Sequence, residues 1–208
     1  MLILLASQFM DHRAAKAYIL ARLRAELPAT RTYHSLTHTL DVYAAVIDIA
    51  EQEAVTGTEM LLLTTAALFH DSGFIVQDLH HEEASCALVR ENLGRWGYSE
   101  DEMDRICGMI MATQIPQTPT DKLSRILCDA DLDYLGRDDF FTVGDTLFEE
   151  LRAYGVLKTA MEWNTLQVHF LSRHRFHTAT NKKLREPLKK AHLTEVRRKL
   201  AQDAPPGC

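Results

Sequence analysis

The chain has 208 residues, of which 46% are hydrophobic, 25% charged and 8% aromatic, with 9 glycines and 6 prolines. That length favours one compact domain with a core large enough to need no disulfide or structural zinc, and the apolar content excludes disordered and collagen-like classes. The formal charge of −6 is uneven, since residues 1–172 carry 13 basic and 26 acidic side chains while residues 173–200 carry 10 and 2, which is not the pattern of a general nucleic-acid binder.

The opening MLILLASQFMDHR has a short apolar run with no positive residue before it, which argues against a signal peptide. An amphipathic helix is predicted over residues 11–27, with Pro28 ending it. A second runs over 34–54, and Thr58 is a plausible N-cap for a third over 59–71. This third helix is apolar on almost every side, so it is expected in the middle of a bundle. Its apolar run, residues 60–69, is half the length of a membrane span. Helices follow over 81–96 and 100–113, the latter opened by a Ser99…Glu102 capping box. After a loop with two prolines come 121–135, 138–154, 159–173 and 180–202. No strand pattern recurs, so the fold class is all-α, a single multi-helix domain over 1–208. Cys86, Cys107, Cys128 and Cys208 form no CxxC pair and are expected to be reduced thiols of a cytoplasmic protein.

Four segments place polar residues where core helices do not want them. His34 and His38 stand at i and i+4, on one helix face. This spacing can present one imidazole to a metal and the other to a substrate, or simply lie on a solvated face. His70-Asp71 closes the most apolar helix, where burial costs several kcal/mol unless both groups are satisfied; a divalent cation or a structural ion pair would do that. Asp78, His80, His81, Glu82 and Glu83 open the next helix, and the macrodipole is the ordinary explanation for the two glutamates. In Asp129-Ala-Asp131-Leu-Asp133, the outer two carboxylates share a face and Asp131 points away from them. Tyr134 stands where an EF-hand loop needs Gly, which excludes that reading.

The order His … His-Asp … Asp, with 32 residues from His38 to His70 and 60 from Asp71 to Asp131, resembles the HD superfamily of metal-dependent phosphohydrolases. The resemblance covers about residues 30–136, with the helices over 138–202 packed on that core. It is nearest the stand-alone bacterial phosphohydrolases that share the Tyr-His-Ser/Asn…His opening and the Asp-Ala-Asp-Leu…Leu-Gly phrase, and Tyr33-His34 is similar to the pair in cyclic-nucleotide phosphodiesterases. It implies that His38, His70, Asp71 and Asp131 hold a divalent metal. The softness of this mixed N/O set suits Mn, Fe, Co, Ni, Zn or Mg alike. Such a site supplies hydroxide for attack on phosphorus. The substrate is then a small phosphoester, a nucleotide or cyclic nucleotide.

His34 is the candidate general acid, because histidine titrates near working pH, and Asp71 can also orient the attacking water. Arg31 can hold a phosphate oxygen or be solvated. A second metal would draw on His80 or His81 and on the position of Gln114, where relatives carry His; Gln is a poor transition-metal ligand, so one metal is expected and these three residues are placed as substrate contacts. Arg173, Arg175 and Lys182 are further candidates to complement an anionic substrate, although a solvated helix face explains the same charges. The expected partner is a small phosphorylated substrate, with no membrane and no nucleic acid, and a homo-oligomer is left open. The alternative functions are a catalytically weak regulatory module that binds a nucleotide or a protein and, last, a di-iron oxygenase on the same fold.

Overall fold

The computed structural model describes residues 10–203; the apolar N-terminal run up to residue 9 and Cys208 lie outside the described residues. Ten α-helices and no strand are found among them: α1 (His12–Glu26), α2 (Leu36–Gln52), α3 (Gly57–Phe69), α4 (His81–Asn92), α5 (Glu100–Ala112), α6 (Lys122–Asp131), α7 (Phe140–Ala153), α8 (Ala160–Arg173), α9 (Ala179–Leu184) and α10 (Glu186–Asp203). No helix among the described residues is long and apolar enough to cross a membrane.

α3 is the axis of the structure, buried from Leu62 through Phe69 and packed against α1, α2, α5 and α6. Leu62, Leu63 and Leu68 are fully buried, each stabilising the fold by roughly 1.5–3 kcal/mol, and they belong to an apolar core drawn from α1 to α6. Cys86, Cys107 and Cys128 are free and buried, as expected of thiols used for packing. A second apolar cluster joins Tyr33, Leu135 and Phe140 to Leu171, Phe176 and Val196 of the C-terminal segment.

Several expected boundaries move for identifiable reasons. α3 begins at Gly57 with Thr56 at the N-cap and no side-chain cap, so Thr58 lies inside the helix. It stops at Phe69, and a 3-10 turn, Ser72–Ile75, follows the His70-Asp71 corner. The capping box of Ser99 and Glu102 forms as expected. The single helix expected over 180–202 is two, broken at Arg185, with Pro187 in the first turn of α10 where a missing N–H costs no hydrogen bond.

The three aspartates of the α6 end divide as their periodicity predicts. Asp129 accepts from the Thr178 hydroxyl (2.6 Å) and the backbone N–H groups of His177 and Thr178. Asp133 accepts from Asn181 (3.0 Å) and Arg185 (2.8 Å). Both therefore anchor α9, and Asp131 alone is left for the site. At Gly136 a Cβ would stand 2.3 Å from the Arg185 carbonyl oxygen, so only glycine lets this turn meet the α9–α10 junction.

Candidate metal centre

His70 is fully buried in the apolar interior, where an unsatisfied imidazole would be costly. Its Nδ1–H donates to the Ala67 carbonyl at 2.8 Å, which turns the Nε2 lone pair away from the helix. Toward that lone pair converge His38 Nε2 at 3.3 Å, Asp71 Oδ2 at 3.2 Å and Asp131 Oδ1 at 3.5 Å. His38 Nε2 in turn lies 3.2 Å from Asp131 Oδ1 and 3.4 Å from Asp71 Oδ2. The ligand atoms of His38, His70 and Asp71 all lie within 4.8 Å of one another.

Those separations fit a cation. Metal–ligand bonds of about 2.1 Å put neighbouring ligand atoms about 3.0–3.4 Å apart. Asp71 Oδ2 is buried and has no hydrogen-bond partner, an expensive state for a carboxylate oxygen unless a cation faces it. Without the cation, protons take its place. Burial opposes charge on His38, but Asp131 and Asp71 outweigh it and raise its pKa to about 9. His70 is raised well above its ordinary value by the same two carboxylates, again against burial. Burial would raise Asp71 and Asp131, but the imidazoles win, holding Asp71 well below the usual carboxylate range and Asp131 at about 2.

The corner carrying these ligands is locked by α4. Ser85 Oγ donates to the His70 carbonyl (2.7 Å) and accepts from the Gly73 N–H (2.8 Å). A Cβ on Gly73 would stand 1.9 Å from the His81 carbonyl oxygen, so glycine is required for this approach. Just before α4, His80 takes the left-handed conformation (φ +56°), while the Gln77 side chain donates to the carbonyls of Leu79 and His80. This turn directs His81 inward, its ring stacked 3.9 Å from Phe74 and its Nε2 3.4 Å from Asp71 Oδ1. His80 points outward, exposed beside Glu83, and makes no contact with the site.

Besides His80, four of the residues expected at the site lie elsewhere. Gln114 is exposed, one residue past Thr113, which lines the cavity beside the ligands. Arg173 and Arg175 line a neighbouring groove with His169 and His177. Lys182 is exposed and donates to the His177 carbonyl at 3.0 Å. Position drew Gln114 to the site and charge drew the three basic residues; Arg173 and Lys182 lie on exposed helix faces, and Gln114 and Arg175 lie in exposed segments after α5 and α8.

Arg31 is buried and occupied rather than free. It pairs with Glu150 (2.7 Å) and Asp78, and its guanidinium lies 4.2 and 4.1 Å from the ring centroids of Phe74 and Tyr154. Glu150 itself escaped the sequence reading. It is fully buried and accepts from the backbone N–H of Tyr33 (2.9 Å) and His34 (3.0 Å), from His34 Nδ1 (2.6 Å) and from Arg31. Burial would raise its pKa, but His34 and Arg31 bring it down to about 2, so it is a fixed negative charge behind His34. Its signal was available: Val143, Leu147 and Leu151 define the apolar stripe of α7, and Glu150 falls on it. Glu82 was also misread. The macrodipole suits its position, yet the side chain is buried and lines the cavity, while Glu83 stays at the surface.

The cluster opens into a cavity of about 260 Å³. His34, Asp71, His81, Glu82 and Asp131 form its polar end, and much of the rest comes from α7 and α8, with Tyr33, Ile115 and the Leu132–Leu135 turn beside them.

The comparisons with known proteins agree with this geometry. The family model described as HD domain matches residues 35–133, which contain His38, His70, Asp71 and Asp131. No curated protein sequence matches significantly. Among solved structures, the chain is similar to a protein described as a predicted HD superfamily hydrolase from an uncultured Thermotogales bacterium, with 22% identity, TM-score 0.59, and coverage of 90% of this chain and 92% of that one. It is also similar to Bacillus subtilis YpgQ in complex with ADP, with 18% identity, TM-score 0.64, and coverage of 94% and 99%. A third, from Lactobacillus plantarum, has 15% identity, TM-score 0.61, and coverage of 92% and 97%. These likenesses establish the fold.

Proposed function

We propose, from the match of residues 35–133 to the HD-domain model and from the geometry of the site, that the protein is a metal-dependent phosphohydrolase acting on a small phosphoester, a nucleotide or cyclic nucleotide, with residues 1–208 working as one domain. The observation that carries the proposal is the convergence of four ligand atoms on one point, with His70 Nε2 freed for it by the hydrogen bond from Nδ1 to Ala67. His38, His70, Asp71 and Asp131 hold one divalent cation, for which Mn, Fe, Co, Ni, Zn and Mg all suit the donor set. When bound, such an ion lowers the pKa of a water toward neutrality and polarises a phosphoryl oxygen. The ADP complex of the Bacillus subtilis neighbour supports a nucleotide-like ligand.

The chain's own groups supply the rest. Asp71 Oδ1, turned toward His81, orients the attacking water. His34 faces the cavity with its Nδ1 held by Glu150, which leaves Nε2 to protonate the leaving oxygen. Glu150 is a positioning residue, fixing the ring through three of its contacts to the Tyr33–His34 segment. His81 takes the place nearest the substrate that His80 was equally expected to fill.

Metal analysis of the purified chain, followed by a screen of phosphoesters with and without Mn²⁺, tests the reading. Hydrolysis that needs the added or bound metal supports it. A chain that binds metal and a nucleotide but hydrolyses nothing would favour the regulatory module instead.

A further inference from the structure

The composition of the cavity restricts what the ester can carry. Among the described residues, no lysine or arginine lines it. Arg31, next to the His34 segment, is already neutralised by Glu150 and Asp78. The polar end is acidic, because Glu82 adds a carboxylate to those of Asp71 and Asp131. Beyond it the wall is mainly Leu147, Leu151, Trp163, Leu166 and Phe170 of α7 and α8, with the uncharged Gln167 amide the polar group among them. The cationic side chains of the C-terminal segment, Arg173 and Arg175, line a neighbouring groove that adjoins the cavity at Ile115 and Phe170 but do not line the cavity itself.

We propose that this site selects an ester with a single phosphoryl group and an uncharged, aromatic or apolar organic group, and that it discriminates against nucleoside di- and triphosphates. The proposal rests on the phosphohydrolase reading above and narrows its substrate class. A first phosphoryl group finds its compensation at the ligand cluster and His34. A second would sit beside Glu82 or against leucine and aromatic side chains, where the lining offers it no counter-charge. An aromatic group in the same place buries apolar surface against Trp163 and Phe170, which is favourable. Nucleoside monophosphates and cyclic nucleotides satisfy both conditions; nucleoside diphosphates do not, so the proposal shares the nucleoside part of the ligand with the ADP-bound Bacillus subtilis neighbour but not its diphosphate.

The test is calorimetric titration of the metal-loaded full chain with phenylphosphonate, methylphosphonate, pyrophosphate and ADP. None of these readouts depends on turnover. Phenylphosphonate is expected to bind at least about tenfold tighter than methylphosphonate, and tighter than either pyrophosphate or ADP. The Leu166→Lys variant then supplies the missing cation. Leu166 is 40% exposed, so the new charge keeps access to water and the fold is preserved. In this variant ADP is expected to gain at least about tenfold while phenylphosphonate does not. Equal binding of phenyl- and methylphosphonate, or ADP binding to the wild type as tightly as phenylphosphonate, would overturn the proposal. Failure of the hydrolase reading registers separately, as a wild-type chain that holds no metal by elemental analysis.

Discussion

One end of the cavity crowds two imidazoles and two carboxylates within 3.5 Å of His70 Nε2 or His38 Nε2, while the other end is leucine, tryptophan and phenylalanine. The first end comes from α2, the α3 corner and α6, all inside residues 35–133. The second comes from α7 and α8, which lie beyond that segment. In the proposed account the first end carries the reaction and the second chooses the molecule. A substitution at one end should therefore alter metal content and rate, and a substitution at the other should alter preference among ligands while leaving the metal in place.

The largest expected effect sharpens that division. Asp71→Ala removes a buried ligand, and metal affinity should fall by at least about 100-fold, with activity lost; metal content after dialysis and the circular dichroism of the variant check this. Next is His34→Asn, for which the metal should stay while the rate falls by about 10²–10⁴, the usual contribution of a general acid. Glu150→Gln should slow the reaction by less, because its effect passes through the His34 ring, and a changed pH–rate profile at unchanged metal content separates this from loss of fold.

A smaller effect concerns the metal-free chain. His38 has a raised pKa of about 9 when its carboxylate neighbours face no cation. Stability from that pairing is fully present below the unfolded value of about 6.5 and is lost as pH rises through about 9. Thermal melts in EDTA should therefore fall between pH 7 and 9. Melts with Mn²⁺ should instead weaken as pH falls, because protons then compete for the ligands. The smallest effect is Arg173→Ala. This side chain lines the neighbouring groove, so KM should move less than about twofold, and a larger change would break the boundary drawn around the site.

The chemical end was legible in the sequence because it breaks local rules. A His-Asp pair closing an all-apolar helix is costly without a partner, and three aspartates at alternate positions declare by periodicity which one stands apart. The end that chooses the ligand was not legible, since Leu147, Trp163 and Phe170 read as ordinary core residues. Glu150 pairs with His34 across 116 residues, a contact no local pattern encodes, although its place on an apolar stripe marked it as unusual. The choice between His80 and His81 depends on one left-handed residue, His80 itself. The positions of Arg173 and Lys182 followed from helix packing, and that of Arg175 from the segment between α8 and α9, while the sequence offered only their charge. The break at Arg185 was signalled by Pro187, about two turns into the expected helix.

The central claim is that His38, His70, Asp71 and Asp131 hold one divalent cation that the reaction requires. Elemental analysis paired with a phosphoester assay, on the wild type and on Asp71→Ala, tests it most directly. The account predicts one metal ion per wild-type chain, with neither metal nor hydrolysis left in the variant. An Asp71→Ala chain that keeps both its metal and full activity would contradict it.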